Sequence, residues 1–301
     1  MTAATAQTSS LTRSAGGWRS AKNTIAGVLI TASFGVAVIP LVWLIWTVVS
    51  KGYQVIEKSE WWTNSQRGIT FREGGGGAYH AILGTTEQVL LCTVISVPIA
   101  LLVGIYLVEY GGGRVAKLTS FMVDILTGIP SIVAALFIYA VFVTTLGGER
   151  SGVYVSLALV MLMVPVIVRT TEEMLKLVPN ELREASYALG VPKWKTIVKI
   201  VIPTAFSGIV TGVMLGIARV AGETAPLLIL VGYSKNINGN LFNGFQGSLP
   251  GMMYDQVSQL GNKRYHFATD RMWGTALTLI IIVMSLNLLA RLVARRSKVT
   301  H

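Results

Sequence analysis

Cysteine, charged residues and histidine are all scarce in this sequence, and each shortage excludes a class of protein. The single cysteine, Cys92, allows no intramolecular disulfide and lies in an apolar run, where we expect a small core residue. Charged residues make up only 13% of the 301 residues, which is too few for an ordinary soluble domain. The three histidines are isolated, and no zinc spacing, Ser-His-Asp set or carboxylate pair emerges. A membrane-embedded enzyme is therefore disfavoured.

The glycine-rich GxxxxGK[ST] loop that holds nucleotide phosphates is also absent. We therefore expect no cofactor in this chain: if ATP drives the protein, another chain binds ATP and Mg²⁺. What the sequence has in excess is apolar residues, 52% of the total, which indicates an integral membrane protein. The net charge of +11 is consistent with that class, because membrane proteins carry excess Lys and Arg for topological reasons.

The apolar residues fall into long runs that predict an all-α membrane protein with six transmembrane helices. A six-helix domain over residues 24–293 is expected, with residues 1–23 as a disordered cytoplasmic tail and residues 294–301 as a basic cytoplasmic tail. The six predicted spans are residues 24–49, a second with its most apolar part at 89–108, then 118–146, 153–168, 205–232 and 273–293.

Basic residues predict the orientation of these helices. The short loops on one side are dense in Lys and Arg, so both termini and residues 178–203 are expected to face the cytoplasm. On the other side, Trp61 and Trp62 are expected at the outer membrane interface, where tryptophan is enriched.

Residues 178–203 form a polar segment in this otherwise apolar chain, and we call this segment the hinge. Pro179 suits the first turn of a helix, Gly190 suits a left-handed cap, and a second helix is expected to end at Pro203. The pattern could pass for a DNA-binding helix-turn-helix, but apolar spans flank it on both sides, so no nucleic acid partner is expected.

Two arginines lie in or beside apolar spans, where an arginine costs roughly 2.5–3.5 kcal/mol unless it is paired or hydrated. Arg219 lies midway along the fifth span, and Glu223 follows at the i,i+4 distance, which predicts an ion pair. An alternative, compatible with the pair, is that Arg219 contacts a phosphate or sulfate oxygen along a transport pathway. Arg169 is either a membrane-interface residue or a second pathway residue.

The hinge resembles the Glu-Ala-Ala loop of permease subunits of ABC importers. Glu184, Ala185 and Ser186 are followed by Gly190 and later by an Ile-Val-Ile-Pro ending, with Ser186 and Ile202 as conservative departures. In that family the two short helices dock on a cytoplasmic ATPase. The resemblance therefore implies a set of ATPase-coupling residues: Glu184, Ala185, Ser186, Leu189, Gly190 and Val191.

Three further stretches, at residues 77–85, 126–133 and 219–227, resemble the PstA-type permeases of phosphate ABC transporters. The resemblance implies a type I importer (MetI-like) fold and a pathway role for the two arginines. It also implies as partners a homologous PstC-type permease, two ATPase subunits and an extracytoplasmic phosphate-binding protein. Thr127 and Ser131 flank a Gly-Ile-Pro break that could point backbone amides at an anion, or could be a simple packing kink.

Two alternatives remain at this point. The chain could be a permease for another oxyanion, such as sulfate, molybdate or phosphonate, because these families share the hinge. It could also be an ATP-independent secondary transporter or channel, in which residues 178–203 would be an ordinary loop.

Overall fold

The computed structural model describes residues 17–259 and 265–296, and these two ranges are largely helical. An isolated parallel bridge between Tyr233 and Gln246 is the single β feature within them. The prediction of an all-α protein is confirmed.

The described ranges hold twelve α-helices, of which three are extended by π-helical turns. The π turns are Tyr106–Tyr110 after α3, Tyr139–Thr145 after α5 and Ile197–Val201 after α8. The α-helices are α1 Gly17–Ile56, α2 Ser59–Thr63, α3 Tyr79–Ile105, α4 Arg114–Gly128, α5 Ser131–Ile138, α6 Gly152–Lys176, α7 Asn180–Ala188, α8 Lys193–Thr196, α9 Ile202–Ala221, α10 Ala225–Leu230, α11 Leu249–Val257 and α12 His266–Arg296.

Five helical segments in the described ranges are long and apolar enough to cross a membrane. They are Trp18–Ile56, Tyr79–Tyr110, Gly152–Lys176, Lys193–Ala221 and His266–Leu292. The pair α4 and α5 meets the same criteria when taken together, and it is bent by 106°. Ile129 and Pro130 have extended backbones at the bend, because a proline disfavours the helical conformation in the residue before it. The predicted interruption of the third span is confirmed, and the chain is a multi-pass membrane protein.

The chain divides into two compact units, and the first ends at Val49. Its described part is residues 17–49 of helix α1, which bury almost none of their apolar side chains, as is typical of a helix in contact with lipid. Because α1 begins at Gly17, the disordered tail predicted at residues 1–23 is wrong for residues 17–23; residues 1–16 lie outside the described ranges. Extending an existing helix by a few residues costs much less than nucleating one.

In the second unit, α6 packs against both α3 and α9 around a buried apolar cluster. The contact with α9 depends on small residues, because Gly208, Gly212 and Gly216 form one stripe that faces α6. A Cβ atom at Gly212 would lie 2.2 Å from Thr170 Oγ1, so a side chain there would force the two helices apart. α12 continues to Arg296, so the tail predicted at residues 294–301 is wrong for residues 294–296; residues 297–301 lie outside the described ranges.

The end of the second unit at which α3 begins has its own apolar cluster, centred on Trp61. Trp61 is buried, and its indole Nε1 donates a hydrogen bond to Thr278 Oγ1 at 2.8 Å. The prediction that this residue lies at the membrane interface is therefore wrong. Its polar N–H group finds a partner inside the fold and no longer needs water. The neighbouring Trp62 remains 38% exposed.

Candidate functional site

Residues 178–203, which we call the coupling loop, contain two short helices, α7 and α8, joined by a glycine turn. Gly190 has a φ of +75°. Its N–H group donates to the carbonyl of Tyr187 at 2.9 Å, and that of Val191 donates to the carbonyl of Ser186 at 3.2 Å. These two bonds are those of a Schellman motif, so the left-handed cap predicted at Gly190 is confirmed.

The two short helices are held together by a buried hydrogen bond. Ser186 Oγ on α7 lies 2.8 Å from Thr196 Oγ1 on α8, and both residues are buried. Ser186 is one of the two positions at which the sequence departs from the family pattern. The hydroxyl that replaces a methyl group here joins α7 to α8.

Most of the predicted coupling residues lie at the surface. Glu184, Ala185 and Gly190 are exposed, whereas Val191 is half-buried. Leu189 is 84% exposed, and Trp194 on α8 is 62% exposed. Large apolar side chains at the surface of a polar loop are typical of a surface that binds another protein.

α8 does not end at Pro203, contrary to the prediction. The helix continues from Lys193 through a π turn into α9 and ends at Ala221. The π turn ends at Val201, two residues before Pro203, and its wider geometry accommodates a proline ring that would clash with a carbonyl in a regular α-helix. The coupling loop is therefore continuous with a membrane-spanning helix.

A buried ion pair, which we did not predict from the sequence, anchors the coupling loop. Arg183 on α7 donates to Glu109 Oε1, and its Nη2 lies 2.9 Å from that oxygen. Only 12% of the Arg183 side chain and 5% of the Glu109 side chain are exposed. The one sequence signal was an acidic residue at the end of an apolar run.

Arg169 on α6 forms ion pairs with two carboxylates. Its Nη1 lies 2.5 Å from Glu172 Oε2, and its Nη2 lies 2.5 Å from Asp124 Oδ1 on α4. Nη2 also donates to the carbonyl and the hydroxyl of Ser120, both at 3.0 Å. The sequence left two roles open for Arg169, and the structure shows a further one: Arg169 cross-links α4 to α6. Its positive charge is compensated by two negative charges.

Thr127 and Ser131 flank the bend between α4 and α5. Thr127 Oγ1 donates to the carbonyl of Val123 at 2.8 Å, within its own helix. Thr127 lies three residues after Asp124 and therefore on the same face of α4. Ser131 is the first residue of α5, a helix that packs against α10. The second broken segment, α9 to α10, is thus in contact with the first.

Arg219 lies in the last turn of α9 and is exposed. The ion pair predicted with Glu223 is not among those formed in the described residues. α9 ends at Ala221, so Glu223 lies in the break before α10 and not one helical turn beyond Arg219. The fifth span predicted at residues 205–232 is present, but for the same reason its predicted end is wrong: the spanning helix ends at Ala221. Pro226, in the first turn of α10, sets the new helix start.

A cavity of about 270 Å³ opens beside this break. Gly222 and Thr224 contribute to its wall, together with residues of α11 and α12. Its lining is mainly apolar, and Thr224 and Tyr254 supply the polar side chains. With no cationic side chain in its lining, this cavity does not suit an anion.

Comparisons with known proteins agree with this architecture. The family described as "Binding-protein-dependent transport system inner membrane component" matches residues 96–299, more than half of the chain. The chain belongs to this family of transport permeases. The matched part of the permease includes α4 to α9, the coupling loop and both broken segments.

Curated relatives of the permease share most of its length. "Phosphate transport system permease protein PstA 1" of Mycobacterium tuberculosis is 53% identical over 275 residues, which cover 91% of this chain and 89% of the relative. "Phosphate transport system permease protein PstA" of Yersinia pestis is 38% identical over 289 residues, covering 93% and 92%. These relatives confirm the resemblance to PstA-type permeases predicted from the sequence.

Solved structures support the fold of the permease. A chain of the MetNI methionine ABC transporter in an inward-facing conformation superposes with a TM-score of 0.57 at 20% identity, covering 74% of this chain and 95% of that chain. The likeness confirms the predicted MetI-like permease fold and carries no information about substrate.

Proposed function

We propose that this chain is a permease subunit of an ATP-driven importer of inorganic phosphate and forms half of its translocation pathway. The main support for phosphate as the substrate is the 53% identity, over 91% of the chain, with a relative named as a phosphate transport permease. The coupling loop supports the dependence on ATP, because its exposed Leu189 and Trp194 offer a docking surface for an ATPase subunit.

In this proposal the chain is non-catalytic and works within a larger assembly in the membrane lipid. ATP and Mg²⁺ are bound by two copies of an ATPase subunit, a homologous PstC-type permease supplies the other half of the pathway, and an extracytoplasmic protein delivers phosphate. The coupling loop and both termini face the cytoplasm, in line with the basic residues on α8.

Phosphate needs cationic donors whose charge is not already compensated. Arg219 fits this requirement, because it is exposed and has no carboxylate partner among the described residues. Arg169 is held by Glu172 and Asp124. We therefore assign the first anion contact to Arg219, and Arg169 contacts phosphate only in a state in which its ion pairs open.

The two arginines lie at different depths along the bundle. Gly212 faces Thr170, the neighbour of Arg169, whereas Arg219 follows Gly212 by about two helical turns, on the order of 10 Å. An anion would therefore pass Arg219 and Arg169 in succession. The hydroxyl groups of Thr127 and Ser131 lie at the α4–α5 bend, and Thr127 becomes a neutral donor for an anion only when it releases the carbonyl of Val123.

Transport would proceed by alternating access. Closure of the ATPase subunits moves α7 and α8, and α8 is continuous with the spanning helix α9. Arg219 lies at the far end of α9 and changes its position relative to α6 as α9 moves.

The test is reconstitution of the purified complex into proteoliposomes with radiolabelled phosphate. We expect uptake that requires both ATP and the binding protein and that an excess of sulfate does not inhibit. Arg219→Gln should lower uptake at least tenfold while the ATPase subunits still co-purify. Arg67→Gln, at another exposed arginine outside the pathway, should leave uptake unchanged.

Three results would contradict the proposal. Phosphate uptake without ATP would identify a secondary transporter, and ATP-driven uptake of sulfate in place of phosphate would identify a permease for another oxyanion. Normal uptake by Arg219→Gln would remove this arginine from the pathway.

A further inference from the structure

Glu109 is a buried carboxylate at the point where α3 meets the coupling loop. It lies in the π turn that extends α3 to Tyr110, and its side chain is 5% exposed. A buried carboxylate is costly unless it is paired and hydrogen-bonded. Residues of both short helices of the coupling loop bind Glu109: Arg183 binds the carboxylate, and Lys193 binds the backbone carbonyl.

Arg183 on α7 supplies the charge partner and uses its whole guanidinium to do so. Nε and Nη2 donate to Glu109 Oε1 at 3.2 and 2.9 Å. Nη2 also donates to the carbonyl of Leu175 at 2.9 Å, and Nη1 donates to the carbonyl of Val178 at 2.6 Å and to Asn180 Oδ1 at 3.3 Å. All five N–H donors of this arginine therefore have acceptors.

These acceptors belong to different elements. Leu175 is in the last turn of α6, so Arg183 caps carbonyl groups that a helix end leaves unpaired. Glu109 belongs to the end of α3. One side chain on α7 thus holds the ends of two membrane-spanning helices together.

Lys193, the first residue of α8, binds Glu109 from the other short helix. Its ammonium group donates to the backbone carbonyl of Glu109 and lies 4.5 Å from the centre of the Tyr110 ring. A cation is favourable here, because the free carbonyl groups of a helix C-terminus carry partial negative charge.

An apolar cluster packs α3 against the flanking segments. Leu175, Val178, Val201, Ala205 and Ile209 form its buried part, and Leu101, Ile105 and Val108 of α3 and its π turn pack against them. The polar contacts of Glu109 are therefore supported by a packed interface, and the Glu109 carboxylate is shielded from water.

We infer that Glu109, Arg183 and Lys193 form a joint that transmits displacement of the coupling loop to α3. The inference rests on the proposed function, since it assigns positioning residues to the coupling that an ATPase would drive. The chain itself links α7 to α6 and α8 to α9, so α6 and α9 follow the loop through covalent bonds. α3 has no such bond to the loop. The joint makes α3 move with it.

The consequence for transport lies in what α3 connects to. After its π turn, residues 111–113 are three glycines that lead into α4, the helix that carries Asp124 and the bend at Pro130. If the loop moved without α3, α4 would be pulled only through the Arg169 contacts with Asp124 and Ser120, while its N-terminal end stayed with α3. ATP would then be hydrolysed without opening the pathway.

The test measures phosphate uptake per ATP hydrolysed in the reconstituted complex. We expect Glu109→Gln to lower this ratio at least tenfold while the complex assembles and hydrolyses ATP. Arg183→Lys should lower the ratio as well, because lysine keeps the charge but offers three donors in place of five. Arg114→Lys is the matched control: Arg114 is exposed and forms no ion pair in the described part of the chain, so the ratio should stay at the wild-type value.

A double variant separates a joint from two unrelated defects. If Glu109 and Arg183 act through one contact, Glu109→Gln combined with Arg183→Lys should lower the ratio no further than either single change. Multiplicative losses would overturn the inference, and so would a wild-type ratio in Glu109→Gln. Failure of both Glu109→Gln and Arg183→Lys to assemble would show a purely structural support and would also overturn it.

The wild-type complex keeps this test distinct from that of the proposed function. A wild-type complex that transports another oxyanion refutes phosphate as substrate, and the ratio is then measured with that oxyanion. A wild-type complex without ATP-driven transport refutes the proposed function and the joint together.

Discussion

Both ends of the α3 helix hold a buried arginine, but the two arginines are satisfied in different ways. At the loop end, Arg183 binds the carboxylate of Glu109. At the far end, where α3 begins, Arg271 is only 4% exposed and binds neutral oxygens. Its Nε donates to Gln256 Oε1 at 3.2 Å, and its remaining bonds go to the backbone carbonyls of Thr70 at 3.1 Å, Glu73 at 2.8 Å and Gly75 at 3.5 Å.

Residues at the far end also make hydrogen bonds with one another through neutral groups. Tyr233 donates its phenol hydrogen to Gln66 Oε1 at 3.3 Å, and its oxygen lies 2.9 Å from His80 Nε2. Burial raises the pKa of Tyr233, so the phenol stays protonated and remains a donor. Gly84 packs so closely that a Cβ atom there would lie 2.1 Å from the carbonyl oxygen of Gly247.

This difference indicates that the two ends of the bundle have different roles. The far end holds its buried Arg271 through neutral oxygens of its own segments, which suits a fixed cap. The loop end leaves Leu189 and Trp194 exposed and connects its helices through an ion pair, which suits a part that receives force from another chain. Four substitutions break or sharpen this contrast.

Arg271→Met should have the largest effect on stability. It removes the donor to Gln256 and to the carbonyls of Thr70 and Glu73, and each buried acceptor left without a partner costs about 1–3 kcal/mol. We expect a loss of at least about 3 kcal/mol in the free energy of unfolding, measured by thermal unfolding in detergent. Arg72→Met is the control, because Arg72 is exposed and its loss should stay within about 0.5 kcal/mol. Equal melting temperatures for the two variants would show that the cap does not depend on Arg271.

Gly84→Ala should have the next largest effect. The new methyl group would overlap the backbone of Gly247, so the segment that follows Tyr233 must shift, at a cost of about 1–3 kcal/mol in stability. Gly35→Ala in α1 is the matched control, since nothing lies within 4 Å of a Cβ atom there. The same unfolding assay compares them, and a stable Gly84→Ala would mean that the cap is looser than its contacts indicate.

Gly190→Val tests the loop end, where space is not limiting. Nothing lies within 4 Å of a Cβ atom at Gly190, but its φ of +75° is unfavourable for a β-branched residue by about 1–3 kcal/mol. The strain should change the angle between α7 and α8 and lower phosphate uptake per ATP hydrolysed, while the free energy of unfolding falls by no more than about 1–3 kcal/mol. Gly190→Asn should retain most of the coupling, because asparagine tolerates this conformation. Full coupling in Gly190→Val would show that another turn conformation serves equally well.

The sequence predicts well those features that depend on neighbours along the chain. The left-handed cap at Gly190 and the break at Pro130 follow from the residues themselves, and both are present. The pairing of Arg219 with Glu223 failed because the helix ends between them, although Pro226 was a local signal of a new helix start. The Glu109–Arg183 pair joins residues far apart in the chain, so no local pattern could reveal it.

The misplaced Trp61 has the same physical origin. An indole is equally at home at a membrane interface and in a core that offers it an acceptor, and the acceptor here is Thr278 on α12. Likewise, Pro203 ends an isolated helix but is accommodated by a π turn in a longer one. In each case the outcome depends on tertiary contacts or on a helix irregularity that single-residue preferences do not contain.

Ser186→Ala should have the smallest effect and therefore sets the limit of what the coupling loop tolerates. The substitution removes the hydrogen bond to Thr196, but Thr196 Oγ1 retains the carbonyl of Pro192 at 3.4 Å as an acceptor. Because no buried donor is left unpaired, the cost should be about 0.5–1 kcal/mol, with uptake per ATP within about twofold of wild type. Ser186→Val is the control for space: both side chains are buried, so a bulkier residue should separate α7 from α8 and lower the ratio further. If Ser186→Ala uncoupled transport as strongly as Gly190→Val, the hydroxyl bridge rather than the glycine turn would fix the geometry of the loop.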